Sequence, residues 1–133
     1  MPSRASSIIG WTCVILVAAF NLFAAVMKLF VPIPPGSPAE AMGQQLGTIG
    51  LERGLGILEL IIVVLYVWPR TSAVGFVLMV GYMGGALATN LTHGFSHMEA
   101  LPIYISFVLM TIAAYFRNPE LTARLLRRQA QSY

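Results

Sequence analysis

A chain of 133 residues that is 57% hydrophobic and only 10% charged is too apolar for a water-soluble domain, which usually carries about 25% charged residues. The surplus apolar surface has to face lipid, and the length allows one domain. The net charge of +3 comes without a long basic run or aromatic-basic interleaving, which speaks against nucleic-acid binding, and the lone Cys13 excludes an internal disulfide and dithiol chemistry.

The first apolar segment, residues 8–30, has the roughly 20 residues that a transmembrane helix needs. It is too long for the apolar region of a signal peptide and no small-residue cleavage site follows, so it is expected to be retained. Cys13 reads as a small packing hydrophobe. Asn21 and Lys28 are seven apart and share one face, with Ala24 and Ala25 between them.

Pro32, Pro34, Pro35 and Gly36 end this segment, and Ser37-Pro38-Ala39-Glu40 follows. Ser37 fits an N-cap, Pro38 the first helical position and Glu40 a capping box. A short helix ending near Gly47 is predicted here, lying on the outer membrane surface.

The second span, 51–68, carries Glu52 and Glu59 on one face with Gly56 between them; Arg53 points about 100° away. An ionised carboxylate at mid-membrane is costly unless paired, so Glu59 is expected either as the neutral acid or beside a cation, Lys28 or Arg53. Its structural use would be to fix helix packing; its functional use would be a ligand or proton site. Tyr66 and Trp68 suit an aromatic belt.

Pro69 stops the second span and Arg70-Thr71-Ser72 turns into the third, 73–91. There Gly81, Gly85 and Thr89 form a stripe leading to Asn90 and His93. The spacing of four between Gly50 and Gly54, and between Gly81 and Gly85, fits close helix approach, a homodimer seam or room for a ligand.

His93 and His97, with Glu99 near, have the spacing of a metal pair interrupted by Gly94; plain polar headgroup residues are the duller account, and no metal site is assigned. Ser96 and Glu99 also fit a capping box for the fourth span, 101–116, with Pro102 early enough to kink it. Asn118-Pro119-Glu120-Leu121 then opens either a short interfacial helix, with Leu121 and Leu125 on one face beside arginines, or a frayed basic tail.

Arg4, Arg70, Arg117, Arg124, Arg127 and Arg128 flank the spans on one side only. The positive-inside rule puts that side in the cytoplasm. The expectation is thus an all-α, four-transmembrane-helix bundle with both termini inside. Polar residues would then gather in the middle and outer half, in a pocket opening outward.

The stretches Gly56-Ile57-Leu58-Glu59-Leu60, Pro69-Arg70-Thr71, Gly81-Tyr82-Met83-Gly84-Gly85-Ala86-Leu87-Ala88-Thr89-Asn90 and Tyr115-Phe116-Arg117-Asn118-Pro119-Glu120-Leu121, together with Lys28, resemble the DoxX-like family over nearly the whole chain. That pattern commonly has histidine where this chain has Asn90. The resemblance implies a multi-pass four-helix protein of the bacterial plasma membrane. Some relatives are linked to thiosulfate oxidation with quinone or to membrane oxidoreductase complexes, others to chaperone or cargo-receptor roles.

Three functions fit: an accessory or scaffold component of a membrane complex, with an outward polar pocket; a protein binding a quinone- or lipid-like ligand; and a small proton-coupled transporter using Glu59. The ligand or proton candidates are Asn21, Lys28, Glu52, Arg53, Glu59, Asn90 and His93. No nucleophile–base constellation, haem-attachment motif or nucleotide fingerprint is present, so any enzymatic role would rest on the resemblance alone. The partners expected are the lipid bilayer and either a second copy or a larger membrane complex.

Overall fold

The computed structural model describes residues 3–121 and 123–124. It is all-helical over these residues: α1 Arg4–Phe30, α2 Pro38–Leu46, α3 Glu52–Val67, α4 Ser72–Thr92 and α5 Leu101–Arg117. α1 and α4 are long and apolar enough to cross a membrane; α3 and α5 are shorter, at 16 and 17 residues.

Local chemistry explains the ends. α1 begins earlier than its apolar run because the Ser3 hydroxyl accepts from Ser6 N, so Arg4 lies in the first turn rather than ahead of the helix. α2 starts as its sequence predicts: Glu40 N donates to Ser37 Oγ at 3.2 Å, and Gly47 ends the helix in the left-handed region at φ 72°. The Ser96–Glu99 box also forms, but it closes a turn ahead of α5, whose own N-cap is Ala100. Pro102 falls at the start of α5, where no helical hydrogen bond is lost. The predicted C-terminal helix starts at 119–121 and 123–124, which are helical; Leu125, Arg127 and Arg128 lie outside the described residues.

α1 packs on α3 and α5, α3 packs on α4, and α4 meets α5. The centre holds Val14, Val17, Ile62, Val63, Tyr66, Met79, Met83 and Met110, with Cys13 a packing residue at its edge. Tyr66 is 1% exposed and belongs to this core, not to an aromatic belt; Trp68, 60% exposed, fits the belt position. Outward faces are also apolar: Ile15 and Phe23 on α1, Ile57, Ile61 and Val64 on α3, Val74 and Val77 on α4, Ile105 and Val108 on α5. Apolar residues inside and outside alike are what a lipid-facing assembly requires.

Two glycines set helix contacts. A Cβ on Gly56 would stand 2.9 Å from Leu29 Cγ and 3.2 Å from Ala25 O, so α1 and α3 meet there without a side chain between them. A Cβ on Gly75 would collide with the backbone of Leu65 and Tyr66, which fixes the tight α3–α4 hairpin. Gly81 and Gly85 behave differently: a Cβ on either meets nothing within 4 Å, so they do not serve helix contact within this chain.

At one end of the assembly Arg117 closes α3. Its Nη1 donates to Tyr66 O at 2.7 Å and its Nη2 to Val67 O at 2.5 Å, while the guanidinium lies 4.7 Å from the Trp11 ring centroid. A cation on orphan carbonyls is a favoured helix C-terminal cap. Ser72 Oγ donates to Asn118 Oδ1 at 3.0 Å beside it. At the opposite end α2 is held by Gln45 Nε2, which donates to His93 O at 2.8 Å.

Candidate functional site

The polar centre is built where α1, α3 and α4 meet. Close contact at Gly56 brings Lys28 over the second turn of α3, and the lysine stem reaches Glu59. Lys28 Nζ lies 2.5 Å from Glu59 Oε2, with the carboxylate 3% and the lysine side chain 31% exposed. Tyr82 of α4 completes a triangle: Lys28 donates to its hydroxyl at 3.0 Å, and that hydroxyl donates to Glu59 Oε2 at 3.1 Å. The ammonium also sits 5.5 Å from the tyrosine ring centroid. One buried carboxylate oxygen thus accepts two hydrogen bonds from two other helices, which compensates the cost of taking it out of water.

Two clefts border this centre. One, about 470 Å³, lies between α3 and α4 and is lined by Lys28, Glu52, Tyr82, Gly81, Gly85 and Asn90, together with Leu46, Thr48, Leu55, Ala86 and Thr89. The other, about 810 Å³, lies under α2 against the loop after α1 and includes Phe30, Ile33, Glu40, Gln44, Glu52 and Arg53. Lys28 and Glu52 line both.

Of the residues singled out in the sequence, Lys28 and Glu59 are in direct contact, and Glu52 and Asn90 line the cleft beside them. Glu52 accepts from Gly50 N at 2.9 Å and has no ion-pair partner among the described residues. Asn90 donates through Nδ2 to Ala86 O at 2.7 Å. Arg53 lines only the larger cleft, so of the two cations considered for Glu59 it is Lys28 that reaches it. Asn21 is fully buried in α1; its Nδ2 donates to Val17 O at 2.9 Å and its Oδ1 has no partner among the described residues. His93 lines neither cleft: it ends α4 with Nδ1 2.8 Å from Thr89 O. His97 contacts Tyr104 Oη at 2.8 Å, and no group of three metal-ligating side chains occurs among the described residues.

Tyr82 is the residue that sequence reasoning missed as part of the site. It stood within the Gly-Tyr-Met-Gly-Gly motif as an apolar-segment aromatic; the signal was its place one residue after Gly81 on the helix carrying Asn90.

Geometry and composition define a helical membrane protein with a charge pair buried at the junction of three helices, beside a cleft. The DoxX-like family matches residues 12–114, and the chain belongs to that family. No curated protein and no solved structure matches the chain.

Proposed function

We propose that the chain is a multi-pass protein of the bacterial inner membrane, a single four-helix bundle that holds a small amphipathic ligand in the α3–α4 cleft as an accessory component of a membrane complex. α1, α3, α4 and α5 would span, with α2 on the outer surface and both termini in the cytoplasm. In support, Arg4, Arg70 and Arg117 lie at or beyond the helix ends on one side. At 1.5 Å per residue α3 is about 24 Å long, short of a roughly 30 Å hydrocarbon layer. Flanking Leu51 and Trp68, both exposed, and local thinning of the bilayer make up the difference.

The observation that carries the ligand reading is the cleft with Gly81 and Gly85 in its wall and the Lys28–Tyr82 pair beside it. Gly54 and Gly84 also face open space, but of these helix glycines only Gly81 and Gly85 line the cleft, and each costs about 1 kcal/mol relative to alanine. Room for an occupant accounts for both. A volume of about 470 Å³ falls in the range of small-molecule pockets.

The test is native mass spectrometry and an optical spectrum on protein purified in mild detergent, beside Gly85→Leu and Lys28→Met. A co-purifying small molecule lost in Gly85→Leu supports the ligand site. Bare protein that comes only with a larger complex makes the buried charges structural and leaves the accessory role alone.

A further inference from the structure

Resting on the reading of the α3–α4 cleft as a ligand site, we infer that its occupant is an amphipathic organic cation, an amine on an apolar body, with Glu52 as counter-ion.

The argument is a balance of donors and acceptors among the side chains lining the cleft. Thr89 Oγ1 gives its proton to Gly85 O at 2.8 Å. Asn90 gives an Nδ2 proton to Ala86 O at 2.7 Å, and because a carbonyl can only accept, the Asn90 oxygen is left to face elsewhere. Tyr82 gives its proton to Glu59. Lys28 has given two protons, one to Glu59 and one to Tyr82. Thr48 holds its hydroxyl 3.5 Å from Gly43 O, a long bond. What remains toward a ligand is two N–H groups, the second of Asn90 and the third of Lys28, against more acceptor sites: the Asn90 and Thr89 oxygens and the Glu52 carboxylate, which so far accepts only from Gly50 N.

Charge points the same way. Lys28 and Glu59 neutralise each other. Glu52 is half-buried, lines the cleft and has no cationic partner among the described residues. It lies in the first turn of α3. The cleft therefore carries one uncompensated negative charge and few free protons. An ammonium supplies both the charge and the N–H donors. A quinone brings acceptors only; it could take the last N–H of Lys28 and the second of Asn90 but would leave the Glu52 charge unanswered. Leu46, Leu55, Gly81, Gly85 and Ala86 offer an apolar wall for the body of the ligand.

The test uses the full chain in lipid nanodiscs and three indole probes of one shape: tryptamine, the neutral alcohol tryptophol and the anion indole-3-acetate. Saturable tryptamine binding is expected, with tryptophol and indole-3-acetate weaker by about tenfold or more. Glu52→Gln should lose a similar factor, Glu52→Asp should restore most of it, Arg70→Gln, which lines neither cleft, should change nothing, and Gly85→Leu should abolish binding. A Cβ at position 85 meets nothing within 4 Å, and unchanged thermal unfolding of Gly85→Leu checks that the fold is kept. If tryptophol or indole-3-acetate binds as well as tryptamine, Glu52→Gln is silent and Gly85→Leu still abolishes binding, the cation is wrong and the cleft stands. If tryptamine binding survives Gly85→Leu, or no probe binds saturably, both the cation and the cleft site fall.

Discussion

Lys28 and Glu59 lie 31 positions apart in sequence and 2.5 Å apart in space, and the pair joins α1 to α3 with the carboxylate all but sealed from solvent. Removing one member strands the other. Lys28→Met should cost about 3 kcal/mol, the lower end of the range for breaking a buried pair, because the lysine keeps part of its exposure. The double variant Lys28→Met/Glu59→Leu should recover most of that loss, since it leaves no unpaired charge. Reversible unfolding in mild detergent reads both; a double variant no more stable than Lys28→Met would mean the two residues are not coupled.

Tyr82 shares the same carboxylate oxygen from α4. Tyr82→Phe keeps the ring and removes one donor to Glu59 and one acceptor for Lys28, so the expected loss is about 1.5–3 kcal/mol, the value of hydrogen bonds to charged groups. If Lys28→Met has already been made, the loss on adding Tyr82→Phe should change, because contacting residues do not contribute additively. Equal losses in both backgrounds would separate Tyr82 from the pair.

These two predictions differ in how far the sequence foretells them. Spacing of seven put Asn21 with Lys28 and Glu52 with Glu59, and an isolated carboxylate in an apolar helix demanded a partner, so Lys28 was legible as one of two candidates. Periodicity assigns a face, however, and not the neighbour opposite it. The choice of Lys28 over Arg53, the arrival of Tyr82 and the separation of Asn21 from the cluster depend on the close approach at Gly56 and on the α3–α4 hairpin at Gly75. Helix starts were legible where a side chain makes the cap, as at Ser37. At α5 the capping box was legible but its place was not, because it closes a turn one step earlier. Arg117 read only as a topology signal, since nothing in its own segment announces the two carbonyls that it caps across the fold.

The two kinds of helix glycine give opposite predictions. Gly75→Ala drives a methyl into the backbone of Tyr66, and overpacking of that kind costs roughly 1–3 kcal/mol. Gly85→Ala meets nothing, and the gain in helix propensity should stabilise the protein by up to about 1 kcal/mol. Parallel thermal melts of the two variants check this; destabilisation by Gly85→Ala would show that another surface presses on that face.

Arg117→Lys separates charge from shape. The positive charge is kept, so membrane orientation should not change. A lysine is a single point charge and cannot reproduce the fork on Tyr66 O and Val67 O. A loss of about 1–2 kcal/mol in unfolding is expected with unchanged topology. Unchanged stability would mean the guanidinium contributes through charge alone.

Orientation itself is testable because the native thiol is out of the way: Cys13 is buried in α1. In a Cys13→Ala background, single cysteines at Met42 and Met98 report one end of the assembly, and at Ala5 and Glu120 the other; all four positions are exposed. If the proposed orientation holds, with Arg4, Arg70 and Arg117 in the cytoplasm, a membrane-impermeant maleimide added to intact spheroplasts should label Met42→Cys and Met98→Cys only. Ala5→Cys and Glu120→Cys should react after lysis. The reverse pattern would invert the protein and turn the cleft toward the cytoplasm. Labelling of Ala5→Cys and Met42→Cys from the same side would mean that α1 does not cross, and the four-span arrangement would fail with it.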